Sequence, residues 1–408
     1  NGSIVKQDQI MDAIIADYPQ YYQLRIWSGD IKNGLDIKAC EKRWEEALEI
    51  NPNSFEAHVN LAFLHFPTGN NFYMLASDER DLTKAGMLLN KAKKILPESS
   101  RPSRFLGNVY RAQSEFEKAL ASYKESLEII KEYETGDQSD PYANSLLMVG
   151  HVYTFQGEYD KARNFYDDAI KISNEFWKVS IGELKSHTYM YQKDFAGAVF
   201  VLSEIQDQIK TFDIDTLQKT NYTIWMETAK FRAFGHSQKQ DETIASSQKI
   251  KELRSSRSEI LLANAFNDTE KQRILRNLSN SNMELDIWYN ILFGNYDAAR
   301  AQINEYNSMA KKELEFDPNA MNNFYKFSGY LNLMEGNPQK SIEEYSNLSK
   351  VEMSSDSYHS YFMALAKKAI GKEEESKEMF VALANDNFAT WQNSIIKNLA
   401  KAQIKTNL

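Results

Sequence analysis

Apolar side chains recur along most of the chain at the spacing of amphipathic helices, and small residues recur among them. The clearest unit covers residues 100–132, and a second begins near residue 143. In both units Gly is followed by Tyr after three positions, Ala after nine more, Tyr after four more and a small residue after three more. Positions spaced by three or four share one helix face, so each unit is predicted to be two helices packed through small residues. The matching positions are Leu106, Gly107, Tyr110, Ala119, Tyr123 and Ser126, and then Val149, Gly150, Tyr153, Ala162, Tyr166 and Ala169.

This pattern resembles the tetratricopeptide repeat, a helix–turn–helix unit of about 34 residues with two conserved small positions and often a final Pro. The resemblance implies an all-α fold, a right-handed superhelical solenoid of about nine to ten antiparallel helix pairs, each covered by the next. Partial copies of the pattern lie at Cys40–Pro52, Leu61–Pro97, Asp194–Ala198, Gly294–Ala299, Gly329–Tyr345 and Ala364–Phe380.

The copies predict five segments. These are an N-terminal capping helix in 1–19, about five repeats in 20–210 with an insertion at 67–78, divergent helical repeats in 211–280, C-terminal repeats in 281–385 and a capping helix in 386–408. Within 211–280 helices are expected over 214–233, 243–253, 256–266 and 269–278, but the small-residue signature is missing. This stretch either stacks continuously on its neighbours or interrupts the array. The helix expected over 7–18 is either a cap or a dimer surface.

Composition narrows the class of protein. Gly (16) and Pro (8) are scarce among 408 residues, which disfavours a turn-rich β fold, and 42% apolar with 26% charged residues is typical of a folded chain. The net charge of −9 argues against nucleic-acid binding, and no apolar run is long enough to span a membrane. The single Cys40 excludes an intramolecular disulfide. The chain begins Asn1-Gly2-Ser3, without Met or a signal-peptide core, so it is expected to be processed, trimmed or part of something longer.

No catalytic signature is present. The phosphate-binding and dinucleotide-binding Gly patterns, HExxH, paired Cys and the nucleophile elbow are all missing. His58 and His65 share one helix face, but a metal site there would need ligands from another helix. The sequence therefore predicts no enzyme activity, no cofactor and no metal.

The resemblance also implies which side chains line the inner groove of the solenoid. In the repeat that begins at Ser100 they form a basic stripe of Arg101, Arg104, Asn108 and Arg111. The corresponding candidates elsewhere are Tyr22, Arg25, Asn144, His151, His187, Asn323, Lys326, Tyr330 and Tyr361. A basic stripe in an acidic chain suits a carboxylate or an acidic peptide. Alternatively, the arginines pair with acids of neighbouring repeats, and the C-terminal tyrosines pack between repeats instead of binding a peptide or small ligand.

The stripe is similar in part to the carboxylate-clamp subclass of the family. Arg104 and Asn108 match the basic and amide positions of its first repeat. Met148 stands where a second Asn is expected, and Ser180 and Leu184 stand where Lys and Arg are expected. Binding of the C-terminal peptides typical of that subclass is therefore not predicted.

The predicted function is a non-catalytic scaffold that binds a peptide or protein, acidic or carboxylate-bearing, on its concave face. The alternative is a ligand-sensing or regulatory module of a larger bacterial signalling protein, because residues 20–130 resemble repeat regions attached to transcription activators, cyclases and kinases. No kinase, cyclase or winged-helix motif occurs in the chain. Compartment and oligomeric state are left open.

Overall fold

The structure, a computed structural model, describes residues 2–33, 36–66 and 74–405, where all regular secondary structure is α-helical. The all-α fold class is therefore confirmed. Residue 1, residues 406–408 and most of the expected insertion at 67–78 lie outside the described residues. The helices are α1 (Gly2–Asp17), α2 (Tyr22–Lys32), α3 (Ile37–Ile50), α4 (Phe55–Phe63), α5 (Leu82–Ile95), α6 (Ser100–Ala112), α7 (Phe116–Tyr133), α8 (Asp140–Gln156), α9 (Tyr159–Ile172), α10 (Glu175–Tyr191), α11 (Phe195–Ile209), α12 (Thr216–His236), α13 (Gln240–Ala263), α14 (Asp268–Leu292), α15 (Tyr296–Glu313), α16 (Asn322–Met334), α17 (Pro338–Tyr345), α18 (Lys350–Ser355), α19 (Ser357–Ala369), α20 (Glu373–Asn385) and α21 (Trp391–Lys405).

Successive helices pack as helix pairs, and the chain divides into two compact units. Unit 1 consists of Asn1–Ile172 together with Lys350–Ser355, and unit 2 consists of Ser173–Ser349 and Asp356–Leu408. In its described residues, unit 1 holds α1 followed by the pairs α2–α3, α4–α5, α6–α7 and α8–α9, together with α18. Unit 2 holds the pairs α10–α11, α12–α13, α14–α15, α16–α17 and α19–α20, followed by α21.

Each well-matched pair is held by a small residue of its first helix against a ring of its second. A methyl group at Gly107 would overlap the ring of Tyr123, and one at Gly150 would overlap the ring of Tyr166. Both tyrosines are almost completely buried, with exposed fractions of 0% and 1%. The recurring Gly and Tyr of the sequence are therefore one contact, in which the missing side chain leaves room for the ring.

A second shared feature is the turn inside the pair. In each of seven consecutive pairs the turn contains one residue with positive φ, and the next N–H donates to the carbonyl five residues earlier at 2.8–3.0 Å. This is the Schellman arrangement, which closes the end of the first helix. The positive-φ residues are Ser114, Gly157, Lys193, Gln238, Gly294, Gly336 and Gly371.

The stretch 211–280 is organised differently from the expectation. The two helices expected over 243–253 and 256–266 are one continuous helix, α13, because no Gly or Pro interrupts this stretch. The helix expected over 269–278 is the first part of α14, which continues to Leu292. Two long helices thus replace the expected extra pair, and α12–α13 keeps the same turn at Gln238 as its neighbours.

Unit 2 is closed by its last helix. The first helices of its pairs pack side by side in the order α10, α12, α14, α16 and α19, and α21 packs on α19, on α20 and also on α10. The Ser394 hydroxyl of α21 lies 3.7 Å from Met190 Sδ, and the Asn398 amide donates to the Tyr191 carbonyl at 3.1 Å. The inner faces of these helices therefore surround a common interior instead of lining an open groove.

The Gly–Tyr contact can be tested by adding one methyl group. Gly107→Ala is expected to lower the free energy of unfolding by about 1–3 kcal/mol, because the ring of Tyr123 must move in a closely packed pair. Gly86→Ala is the matched control, since the nearest atom to an added methyl there is 4.0 Å away. It should stabilise helix α5 by about 0.5–1 kcal/mol. Urea unfolding measures both, and equal effects of the two substitutions would contradict the proposed contact.

The positive-φ turn gives an independent pair of substitutions. Gly157→Ala is expected to cost about 1 kcal/mol, because a side chain is strained in the left-handed conformation. Lys193→Gly should stabilise the protein by about 0.5 kcal/mol, since relief of that strain exceeds the added freedom of the unfolded chain. Thermal and urea unfolding should give opposite signs for the two variants.

Candidate functional site

The basic stripe of unit 1 lies on α6, whose start is fixed by the end of its partner helix. The Ser100 backbone N–H and hydroxyl donate to the two carboxylate oxygens of Glu134 at 2.7 and 2.9 Å. A carboxylate at a helix N-terminus satisfies otherwise unpaired N–H groups and interacts favourably with the helix dipole. The Glu134 carboxylate is therefore engaged at the N-terminus of α6.

The two outer arginines of the stripe differ in their partners. Arg101 forms an ion pair with Glu56 at 3.0 Å and retains 40% of its side-chain exposure. The Arg104 guanidinium lies 5.5 Å from the ring centroid of Phe105, and among the described residues it makes no hydrogen bond or ion pair. Burial, together with the charge of Arg101, lowers the pKa of Arg104. Arg104 is thus a partly buried cation without a contacting carboxylate in the described part of the chain.

The inner end of the stripe is part of the packing. The Tyr123 hydroxyl donates to Asn108 Oδ1 at 2.7 Å, which leaves the Asn108 amide nitrogen as the donor of that side chain. Arg111 is 2% exposed, and its Nη1 lies 3.5 Å from Met148 Sδ. Asn108 can therefore still donate, whereas Arg111 is held between α6 and α8.

On α8 the candidate His151 occupies the position that Asn108 has on α6. His151 Nδ1 and the Tyr166 hydroxyl are joined at 2.8 Å, and Thr154 Oγ1 lies 2.9 Å from the same hydroxyl. His151 is 4% exposed. Asn144, earlier on α8, is only partly buried. The Tyr166 ring, which packs against Gly150, thus also positions His151 through its hydroxyl group.

The candidates of the first pair, Tyr22 and Arg25, lie on α2 and contact residues of α3. Arg25 Nε is 3.3 Å from a carboxylate oxygen of Glu46, with 12% of the Arg25 side chain exposed. Tyr22 is partly buried against the cluster that contains Ile26 and Ala47. Arg25 is thereby engaged by an acid of the adjacent helix.

The candidates of unit 2 line its closed interior. Asn323 donates to Glu284 at 2.8 Å, and Lys326 forms an ion pair with Asp356 at 3.0 Å. Tyr330 and Tyr361 are both 6% exposed and belong to the main apolar cluster of the unit. Asn323 and Lys326 are therefore paired with carboxylates, and the two tyrosines are part of the core.

Asp356 has a structural role at the start of α19. Its carboxylate accepts from the His359 backbone N–H at 3.1 Å, as an N-cap does. Burial alone would raise the pKa of Asp356, but the nearby His359 and Lys326, with their hydrogen bonds, lower that pKa below its usual value.

The described residues contain neither a metal-binding cluster nor a membrane-spanning helix. No group of three or more His, Cys, Asp or Glu side chains is arranged to hold a metal ion. Within the same residues, no helix is both long enough and apolar enough to cross a membrane. Unit 2 does contain a cavity beside Arg232, Arg254 and Trp391. The sequence pattern did not single out Arg232 and Arg254, which lie in the stretch without the small-residue signature.

Comparison with known proteins agrees with the helix-pair architecture. Residues 98–175 match the family model described as tetratricopeptide repeat. The segment α6–α9 is therefore built of tetratricopeptide repeats, which confirms the family expected from the sequence. Such repeats generally mediate protein–protein interactions and are generally non-catalytic. No curated protein sequence matches the chain significantly.

Several solved structures are similar to parts of the chain. A tetratricopeptide repeat protein from Parabacteroides merdae is 15% identical, with a TM-score of 0.41, covering 80% of this chain and 98% of its own. TTC0263, a thermophilic protein of the same repeat class from Thermus thermophilus, is 17% identical, with a TM-score of 0.37, covering 51% and 98%. YrrB, described as having an unusual peptide-binding site, is 13% identical, with a TM-score of 0.34, covering 48% and 91%.

His187 of unit 2 gives a prediction for acid stability. It is 5% exposed, its Nδ1 has no hydrogen-bond partner in the described structure, and its Nε2 lies 3.9 Å from Glu183. Burial lowers the pKa of His187 to about 4, with Glu183 opposing and Arg232 adding to the decrease. Because the unfolded chain binds the proton first, stability should be complete above about pH 6.5 and fall towards pH 4.

The expected loss from His187 over that interval is up to about 3 kcal/mol. Urea unfolding of the wild type and of His187→Gln at several pH values measures it. The free energy of unfolding of the variant should depend less steeply on pH. The dependence that remains is due to other groups such as His236. Parallel curves for the two proteins would show that His187 is not buried in its neutral form.

Proposed function

We propose that the chain is a non-catalytic scaffold whose unit 1 binds a peptide or protein segment on the exposed face of α6, through a carboxylate of that partner. The supporting observation is Arg104, a partly buried guanidinium that no described carboxylate contacts. Tetratricopeptide repeats in this segment agree with a role in protein–protein interaction.

The charge of Arg104 favours an external anion. A guanidinium removed from water without a counter-charge is unfavourable, whereas a carboxylate accepts two parallel hydrogen bonds from it. The nearest built-in alternative, Glu134, is occupied by the N–H and hydroxyl of Ser100. A carboxylate from a partner would therefore supply what the fold leaves out.

Two neighbours would assist the same partner. The amide nitrogen of Asn108 has no hydrogen-bond partner among the described residues, and 6% of Asn108 is exposed. Arg101 retains 40% exposure despite its ion pair with Glu56, so it adds positive charge at the surface. Since the chain has a net charge of −9, this local reversal of sign would direct an acidic segment to α6.

The test uses an array of peptides, each containing Asp or Glu, paired with versions in which Asn or Gln replaces the acid. Acidic members should bind the wild-type protein more tightly than their amide versions. Arg104→Gln should lower the affinity of the best binder about 10- to 100-fold in fluorescence anisotropy, because a charge-assisted hydrogen bond is lost. The weakened variant should also show less dependence of affinity on salt.

Lys118→Gln is the matched control, because Lys118 is an exposed cation of the next helix, α7, and pairs with Glu115. It should leave the affinity unchanged. Equal affinities of Arg104→Gln and Lys118→Gln for the best acidic peptide would overturn the assignment of the site. An array in which acidic and amide versions bind equally would overturn the requirement for a carboxylate.

A further inference from the structure

The interior of unit 2 contains a cavity of about 140 Å³ that the peptide-binding proposal does not use. It lies between α12, α13, α14 and the first residue of α21, and Arg232, His236, Arg254, Glu284, Trp288 and Trp391 are among its lining residues. All of these belong to unit 2. Trp391, the first residue of α21, contributes one part of the cavity wall.

One of its two guanidinium groups has a weak counter-charge. The Arg232 guanidinium lies 4.6 Å from the centroid of the Trp391 ring, and its Nη1 lies 3.6 Å from a carboxylate oxygen of Glu183, beyond hydrogen-bond distance. The other oxygen of Glu183 accepts from the indole N–H of Trp225 at 2.7 Å. Glu183 is therefore shared, and the Arg232 side chain remains 30% exposed.

The second guanidinium has only uncharged partners. Arg254 Nη1 donates to the Ser281 carbonyl at 2.5 Å, and no carboxylate of the described chain lies within ion-pair distance of Arg254. The nearest acid on the lining, Glu284, accepts from the Tyr306 hydroxyl at 2.7 Å and from the Asn323 amide at 2.8 Å. Its negative charge is thus directed to other donors.

Two indole rings form part of the lining. The indole rings of Trp288 and Trp391 are 6.3 Å apart and nearly perpendicular, at 78°. His236 packs 6.3 Å from Trp391, and burial lowers the pKa of His236 to about 4, so that it is neutral at pH 7. The ring nitrogens of His236 make no hydrogen bond to the described residues. The cavity therefore combines two guanidinium groups and the Glu284 carboxylate with aromatic walls and the polar edge of His236.

We propose that this cavity binds a small organic anion, namely a single flat apolar ring that carries a carboxylate. The carboxylate would accept from Arg232 and Arg254, and the ring would pack against Trp288 and Trp391. A volume of about 140 Å³ is below the range of about 300–1,000 Å³ for drug-sized ligands, which excludes a dinucleotide or an extended peptide. Such a ligand would make unit 2 a sensing module, in addition to the peptide site of unit 1.

The test is calorimetric titration of the full chain with benzoate as the probe, alongside benzamide and acetate. Benzoate should bind at least about 10-fold more tightly than either, because benzamide lacks the charge and acetate lacks the ring. Arg254→Gln should weaken benzoate binding by about 10-fold or more. The matched control is Arg273→Gln, since Arg273 is an exposed arginine of α14 that pairs with Glu270.

Each outcome is decisive. Benzoate that binds no better than benzamide, or that does not bind at millimolar concentration, overturns the proposal. Loss of benzoate binding in Arg104→Gln, with binding intact in Arg254→Gln, would place the anion in unit 1 and also overturn it. Circular dichroism shows whether Arg254→Gln folds. If it does not, two measurements decide: the comparison of benzoate with benzamide on the wild-type protein, and the affinity of His236→Gln for benzoate. Failure here leaves the Arg104 result with acidic peptides unaffected, so the two proposals are tested separately.

Discussion

The contact on which the rest of the structure depends is that of a ring on the second helix of a pair with a glycine on the first. At Gly107 and Gly150 the missing side chain brings the two helices together and leaves the rings of Tyr123 and Tyr166 nearly without exposure. The hydroxyl at the far end of each ring must then find a partner, because a buried polar group without one is unfavourable. That partner is the residue directly after the glycine, either Asn108 or His151. One packing contact thus decides both how a pair closes and which polar groups of its inner face are left to bind something else.

The two units use the same kind of pair with different results. In unit 1 the inner face of α6 keeps Arg101 and Arg104 partly exposed. In unit 2 the candidate Tyr330 is 6% exposed and packs against Tyr358 and Phe362 of α19. Position within a repeat therefore does not determine whether a side chain binds a partner or packs, because that also depends on what covers the face.

The sequence was sufficient for helix pairs packed through small residues, and the family resemblance carried by those residues implied the all-α fold. The contact of each Gly with the Tyr of the second helix came from the structure. The sequence was insufficient in 211–280, where no small-residue signature marks where helices end, and the full lengths of α13 and α14 were not predicted. The candidate residues could be placed on inner faces but not assigned partners. The contact of Ser394 with Met190 spans 204 positions along the chain, and no local pattern encodes it. The cavity is lined by residues of α12, α13, α14 and α21 that are distant in sequence, which is why Arg232 and Arg254 could not be recognised beforehand.

The arginines of the two sites follow one physical rule. Arg104 lies 5.5 Å from the ring centroid of Phe105, and Arg232 lies 4.6 Å from that of Trp391. An aromatic face attracts a cation, but this attraction is weaker than the hydrogen bonds that a carboxylate offers a guanidinium. Arg25 of unit 1 differs, since its Nε lies 3.3 Å from a Glu46 oxygen that also accepts from Arg43 at 2.8 Å. An arginine that is partly buried, held over a ring and left without a dedicated carboxylate is already positioned for an anion, but its hydrogen-bond donors lack a charged acceptor. This combination lowers the ordering cost of binding an anion while keeping most of the interaction free energy for the ligand.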